Sequence, residues 1–357
     1  MSSSVGLGGR IAGAVAGVLG LAAAGTAIGV AQRQRVIARR DPEQHRPFGS
    51  LRSEPLVVVT DDGVDLHVEV DEVEPGRAMP GTEELTVVFA HGYALNMDAW
   101  HFQREFFAGR VRCVYYDQRC HGRSGHGAEE FNHIDTLGRD LVRVIETCAP
   151  GPVVVVGHSM GGMSLIALAE QFPELIGTRV VGAALIATTA GDLDPGRILF
   201  PMLPLGLGTR IMSPAVSTLD RGHRLVDAGR RFGKDLAEVI ADSYAFGDDV
   251  PADYVSFLLQ MLDATPFAVV ADFYPSFATL SKFDAVGVFS RVPTAIVCGT
   301  DDKITRITHS RKLHARIHGS DLLELPGAGH MVTLERAHEV NAELEDLLLR
   351  VEAEEWE

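Results

Sequence analysis

Residues 153–162 read Val-Val-Val-Val-Gly-His-Ser-Met-Gly-Gly. Four β-branched residues in a row predict a buried strand. Gly157-His158-Ser159-Met160-Gly161 then predicts a sharp turn, and residues 162–171 a helix. This G-x-S-x-G run is the pattern of a nucleophile elbow, a strand–turn–helix unit that lifts the Ser159 hydroxyl clear of the backbone. Glycines flank it because such a strained turn leaves no room for a Cβ on either side. The turn also aims the N-terminus of the following helix at any oxyanion formed there.

Four further stretches fall into place around the elbow. Leu85–Tyr93 reads as an apolar strand ending in His91-Gly92-Tyr93. Arg112–Ser124 is a strand running into the polar loop Asp117-Gln-Arg-Cys120-His121-Gly-Arg-Ser124. After the elbow come Ala295–Thr305, containing Asp301 and Asp302, and Leu325-Pro-Gly-Ala-Gly-His330. With these five motifs in this order, the chain resembles the α/β-hydrolase superfamily, in its lidded branch of serine esterases, lipases and non-haem perhydrolases. The resemblance spans roughly residues 55–350. It implies an α/β fold: a mostly parallel central sheet with helices on both faces and an inserted helical lid. The chain order Ser159, Asp302, His330 is the one this fold uses.

The roles that follow have physical reasons. Ser159 is a weak nucleophile at its own pKa and needs a base within reach. His330 suits that role, because imidazole can accept and return a proton near neutral pH. An acid must fix its tautomer and stabilise the imidazolium. The family pattern Gly-x-x-Asp-x-Ile selects Asp302, two residues before Ile304, over Asp301. Asp192 or Asp194 is the alternative, since some family members keep the acid after the preceding strand. The oxyanion hole is expected from the backbone N–H groups of Met160 and Tyr93, with no need of the Tyr93 side chain. His91 and His158 are read as braces of their loops rather than as chemical groups.

Two positions depart from the family pattern. Cys120 stands where a glycine is usual; a left-handed backbone there would strain it, and a slightly altered loop is the expected alternative. Arg306 stands where proline is common after the acid. Serine at the elbow argues against haloalkane dehalogenases and epoxide hydrolases of this fold, which carry aspartate. Ala94 after Tyr93 also breaks the His-Gly-x-Pro motif of the latter.

Composition sets the remaining bounds. The chain has 357 residues, enough for one large core plus an insertion, and is 46% hydrophobic. Its net charge of −16 argues against nucleic-acid binding. Cys113, Cys120, Cys148 and Cys298 are scattered and read as reduced core thiols, not as a disulfide or metal framework. No phosphate loop or dinucleotide fingerprint occurs, and no cofactor or metal is expected. The expected activity is that of a serine hydrolase on a small-molecule or lipid ester; the alternatives are the same triad acting on a thioester, an amide or peptide N-terminus or a C–C bond, and a non-catalytic ligand receptor.

Ile11–Ala31 is 21 residues long without a charge, enough to cross a bilayer as a helix. Its glycine spacing would permit close helix pairing. Arg33, Arg35, Arg39 and Arg40 follow, whereas only Arg10 precedes. The positive-inside rule then predicts a membrane anchor with a cytoplasm-facing catalytic domain. A cleaved signal peptide with export to the cell envelope is the rival expectation. Residues 41–54 read as a linker, and the catalytic body is expected to begin near Leu56, with residues 1–40 dispensable for activity.

Leu56–Thr60 and Val64–Val70 flank Asp61-Asp62-Gly63, a hairpin signal. Strands then alternate with predicted helices at Asp98–Phe107, Asp135–Cys148, Met163–Gln171 and Ser310–Ile317, with a final helix over Ala337–Glu354. Residues 55–191 and 293–357 form the two parts of the predicted core. Residues 192–292 break the rhythm, are rich in large apolar side chains and read as the lid.

Overall fold

The computed structural model of the chain describes residues 29–40, 47–193, 239 and 241–354. Asp194, most of the 11–31 stretch and the first half of the predicted lid lie outside them.

Eight strands form one sheet, in the order β1-β2-β4-β3-β5-β6-β7-β8. β1 (Pro55–Val59) and β2 (Asp65–Asp71) are the predicted hairpin, paired antiparallel. β2 also runs antiparallel to β4 (Arg112–Tyr116). From there every pairing is parallel, through β3 (Thr86–Ala90), β5 (Val153–His158), β6 (Val180–Ile186), β7 (Thr294–Gly299) and β8 (Asp321–Leu325).

The valine run explains why β5 lies centrally. Val153 and Val155 point into one apolar cluster, Val154 and Val156 into another on the opposite face. A strand alternates its side chains, so only a strand covered on both faces can be apolar throughout. Helices α3 (Ile134–Cys148), α4 (Met160–Gln171) and α8 (Ile307–His314) cover the first face, α2 (His101–Phe107) and α9 (Ala337–Ala353) the second. All four cysteines are buried thiols.

The described part of the insertion begins with a short helix over 241–245 (α5), then α6 (Ala252–Ala264) and α7 (Phe267–Ala278). It closes back on the core where Lys282 N donates to Ala190 O.

The folded body starts earlier than the hydropathy suggests. Residues 29–37 form a helix, α1, with Val30 and Ile37 buried against the rest of the chain. Arg33 and Arg40, read from sequence as a membrane flank, both pair with Asp242. Phe48, in the predicted linker, stacks on Phe257 at 4.2 Å between ring centroids. These contacts are long-range, which is why local composition did not disclose them. Among the described residues no single helix is long and apolar enough to cross a membrane.

Candidate active site

The site lies at the carboxyl ends of the central strands, where open α/β sheets place their ligands. Ser159 follows β5 directly and adopts φ 52°, ψ −115°. A non-glycine residue holds such a conformation only when its surroundings over-determine it. Here Ser159 N–H donates to Ile186 O, and Ser159 O accepts from Thr188 Oγ1 at 2.7 Å and from Met163 N. The flanking glycines are required by close approach. A Cβ on Gly161 would sit 1.9 Å from Ala90 O, and one on Gly157 would sit 2.6 Å from the Gly161 carbonyl.

Met160 is the first residue of α4, so its N–H has no acceptor within the helix. Tyr93 lies in the loop after β3, beside Ala94 at φ 57°. Its side chain does take a part that sequence reasoning did not assign. The hydroxyl donates to Val270 O in α7, and Thr265 Oγ1 donates to Ala94 O at 3.1 Å. The loop bearing the Tyr93 N–H is therefore tied to the insertion at two points.

Asp302 and His330 meet, with Nδ1 2.9 Å from Oδ2. The Asp302 carboxylate is fully enclosed. Its other oxygen accepts the N–H groups of Ile304 and Thr305 at 2.8 and 2.9 Å. Burial by itself would raise its pKa. The facing His330, the Thr305 hydroxyl and the backbone donors outweigh burial and hold the carboxyl below its ordinary range. Thr305 was missed in the sequence. Its Oγ1 lies 2.8 Å from Asp302 Oδ2 and 2.7 Å from Ala187 O, bracing the acid against β6. The readable signal was a hydroxyl residue three positions after the aspartate, where a side-chain-capped turn closes.

The competing acids lie elsewhere. Asp301 is exposed, and its N–H donates to Ala328 O. Asp192 pairs with Lys312 on the surface.

A model of the alpha/beta hydrolase family matches residues 87–343. The chain belongs to this family. The hydrolase is 26% identical over 286 residues to the non-heme chloroperoxidase of Kitasatospora aureofaciens, covering 78% of this chain and 93% of that one. It is 37% identical to Epoxide hydrolase 1 of Caenorhabditis elegans over 112 residues, or 31% of this chain and 28% of that one. A thermophilic esterase from Thermogutta terrifontis superposes with a TM-score of 0.63 at 20% identity, covering 84% of this chain and all of that one. The fold is thus the α/β-hydrolase fold, and the protein is an enzyme of that class.

The hydrolase surrounds its site with neutral histidines. His91 Nδ1 donates to Gly92 O, and its Nε2 accepts the Gln118 N–H, so both nitrogens brace loops. His158 Nε2 donates to His330 O at 3.0 Å. His121 Nδ1 donates to Arg119 O. Burial depresses all three, His91 to about 4 and His121 and His158 to about 3. The unfolded chain binds these protons near pH 6.5, whereas the folded hydrolase refuses them. Their stabilisation is complete above pH ~6.5 and is lost as pH falls through the folded values. Each histidine contributes up to about 1.4 kcal/mol per pH unit within that window. Denaturant midpoints should therefore decline from pH ~6.5 downward, before ordinary carboxylates titrate. A flat midpoint between pH 7 and 5 would contradict these assignments.

Cys120 has φ 65°, the left-handed conformation that glycine favours. The loop keeps the glycine-type backbone instead of relaxing to a different shape. Cys120 N–H donates to Gly125 O, and its Sγ donates to Asn132 Oδ1 at 3.2 Å. Asp117 holds the same loop by accepting from Met97 N and Arg123 N.

Proposed function

We propose that the hydrolase cleaves carboxylic esters through a Ser159–His330–Asp302 triad and an acyl-enzyme intermediate. In this reading His330 takes the Ser159 proton as Oγ attacks the ester carbonyl carbon. The N–H groups of Met160 and Tyr93 stabilise the resulting oxyanion. His330 then protonates the leaving alkoxide. A water, deprotonated by the same imidazole, releases the acid. The observation that carries the reading is the 2.9 Å Asp302–His330 bond, on a loop tied to the elbow where His158, next to the strained Ser159, donates to His330 O. Asp302 orients Nδ1 and leaves Nε2 for the nucleophile.

The acyl side is read as hydrophobic. Met160, Met163, Phe273 and Phe277 form one apolar cluster next to the elbow, with Tyr93 packed on it. Ligand sites are built mainly from such surfaces. A fluorophosphonate probe should label the wild-type protein, and an ester panel from acetyl to palmitoyl should favour the longer apolar acyl groups. Absence of both labelling and ester hydrolysis would overturn the reading. Peroxide can replace water as the acyl acceptor at such a site, and the likeness to a chloroperoxidase makes peracid formation a second activity worth measuring.

Membrane attachment through the uncharged stretch 11–31, whose last three residues belong to α1, is part of the same proposal, with the catalytic domain on the cytoplasmic side. Protease treatment of intact spheroplasts should spare that domain. Digestion from outside would move the enzyme to the cell envelope.

A further inference from the structure

Residues 29–40 hold a segment that in turn holds the His330 loop. Ile37 is buried in one apolar cluster with Ala241, Ala245, Leu258 and Met331. Arg33 Nε and Arg40 Nη1 donate to the two oxygens of Asp242 at 2.9 and 2.6 Å. The Asp242 side chain has no solvent exposure. Arg40 also donates to Val250 O and Asp249 Oδ1. Both ends of the 242–250 stretch are therefore fastened by α1 and the residues just after it.

The same stretch lies directly on the loop that carries His330. Met331 N–H donates to Ala245 O at 2.8 Å. The enclosed Glu335 carboxylate accepts from Asp248 N and Gly329 N, both at 2.7 Å, and from Gly247 N at 3.2 Å. A Cβ on Gly247 would stand 2.0 Å from Gly327 O, so the two backbones touch. The residues on either side of His330 thus each bond to this segment, or to the carboxylate that holds it.

We infer that Arg33, Arg40 and Asp242 are positioning residues for His330, and that α1 couples the chain's N-terminal region to the active site. The inference rests on the reading of His330 as the general base. Removing the arginines leaves a buried carboxylate without its counter-charge, and the 241–249 segment must open to hydrate it. The His330 loop would then lose its backing. A shift of about 1 Å in a catalytic group costs on the order of 10²-fold in rate.

The test uses the full-length chain and compares Arg40→Ala, Arg40→Lys and Asp242→Asn. Amide exchange at Gly329 and Met331 should rise about 10-fold or more in Arg40→Ala and Asp242→Asn, with β5 and α3 unchanged. The kcat should fall about 10- to 10²-fold with KM nearly constant. Arg40→Lys should recover most of both, because it keeps the charge that Asp242 requires; this pair decides the matter if Asp242→Asn does not fold. Unchanged exchange at Gly329 and Met331, with protection lost only over residues 29–40, would overturn the inference. An equal rise throughout β5 and α3 would overturn it too. Exchange reports on the loop whatever His330 does, so its failure is distinct from failure of the triad, which would show as turnover surviving in Ser159→Ala.

Discussion

Ser159→Ala is expected to abolish fluorophosphonate labelling and to lower ester turnover by about 10⁴-fold or more. Among the described residues nothing else in the site offers a comparable nucleophile. Cys120 is enclosed, its thiol is raised by burial, and its Sγ is engaged with Asn132. Thr188 spends its hydroxyl on Ser159 O. Residual rate in the variant would come from the two oxyanion donors acting on a directly attacking water. Folding should be little changed, because the glycines and backbone bonds that define the elbow remain; alanine still has to adopt φ 52°. Thermal unfolding of the variant alongside wild type checks that point. Wild-type-like turnover by a folded Ser159→Ala protein would remove Ser159 from the mechanism.

Asp302→Asn is expected to lower kcat by about 10³- to 10⁴-fold. An asparagine amide facing Nδ1 can donate to it, which places the imidazole proton on Nε2 and leaves no lone pair for the Ser159 proton. The wild-type acid avoids this because His330 and Thr305 keep its carboxyl ionised despite full burial. As its pKa lies below the ordinary value, its contribution to stability is present above pH ~4 and lost on further acidification. Asp301→Asn and Asp192→Asn should stay within a few-fold of wild type, since the first carboxylate is exposed and the second is paired with Lys312 at the surface. Rates of the three variants, measured together, separate the candidates. A crippled Asp301→Asn or Asp192→Asn beside an active Asp302→Asn would reverse the choice of acid.

Much of the architecture was legible because it is written in short-range pattern. A run of four valines bounded by an elbow, a hairpin marked by Asp61-Asp62-Gly63 and strand–helix alternation each depend on neighbours within about ten residues. They resolve into β5, the β1–β2 pair and a parallel sheet. The family pattern singled out Asp302 and His330, and the fold brings these two together; the two-residue spacing to Ile304 corresponds to a turn that closes through the Ile304 N–H.

Other features depended on parts of the chain that meet only after folding. Thr305 braces Asp302 through Ala187 O, 118 residues away. The Tyr93 hydroxyl finds its acceptor 177 residues on, in α7. The Cys120 backbone takes the left-handed form within a loop that Asp117 fastens to Met97 and Arg123. Most of all, Arg33 and Arg40 read locally only as cations that follow an apolar stretch, a pattern that carries no information about an ion-pair partner. Their partner Asp242 lies over 200 residues further along the chain. Local sequence determined the strands, the elbow and the order of the chemical groups, since hydrophobic period and turn chemistry act over a few residues. Only the tertiary structure decided which buried charges neutralise one another and what backs the His330 loop, because those pairings depend on distances that no local pattern encodes.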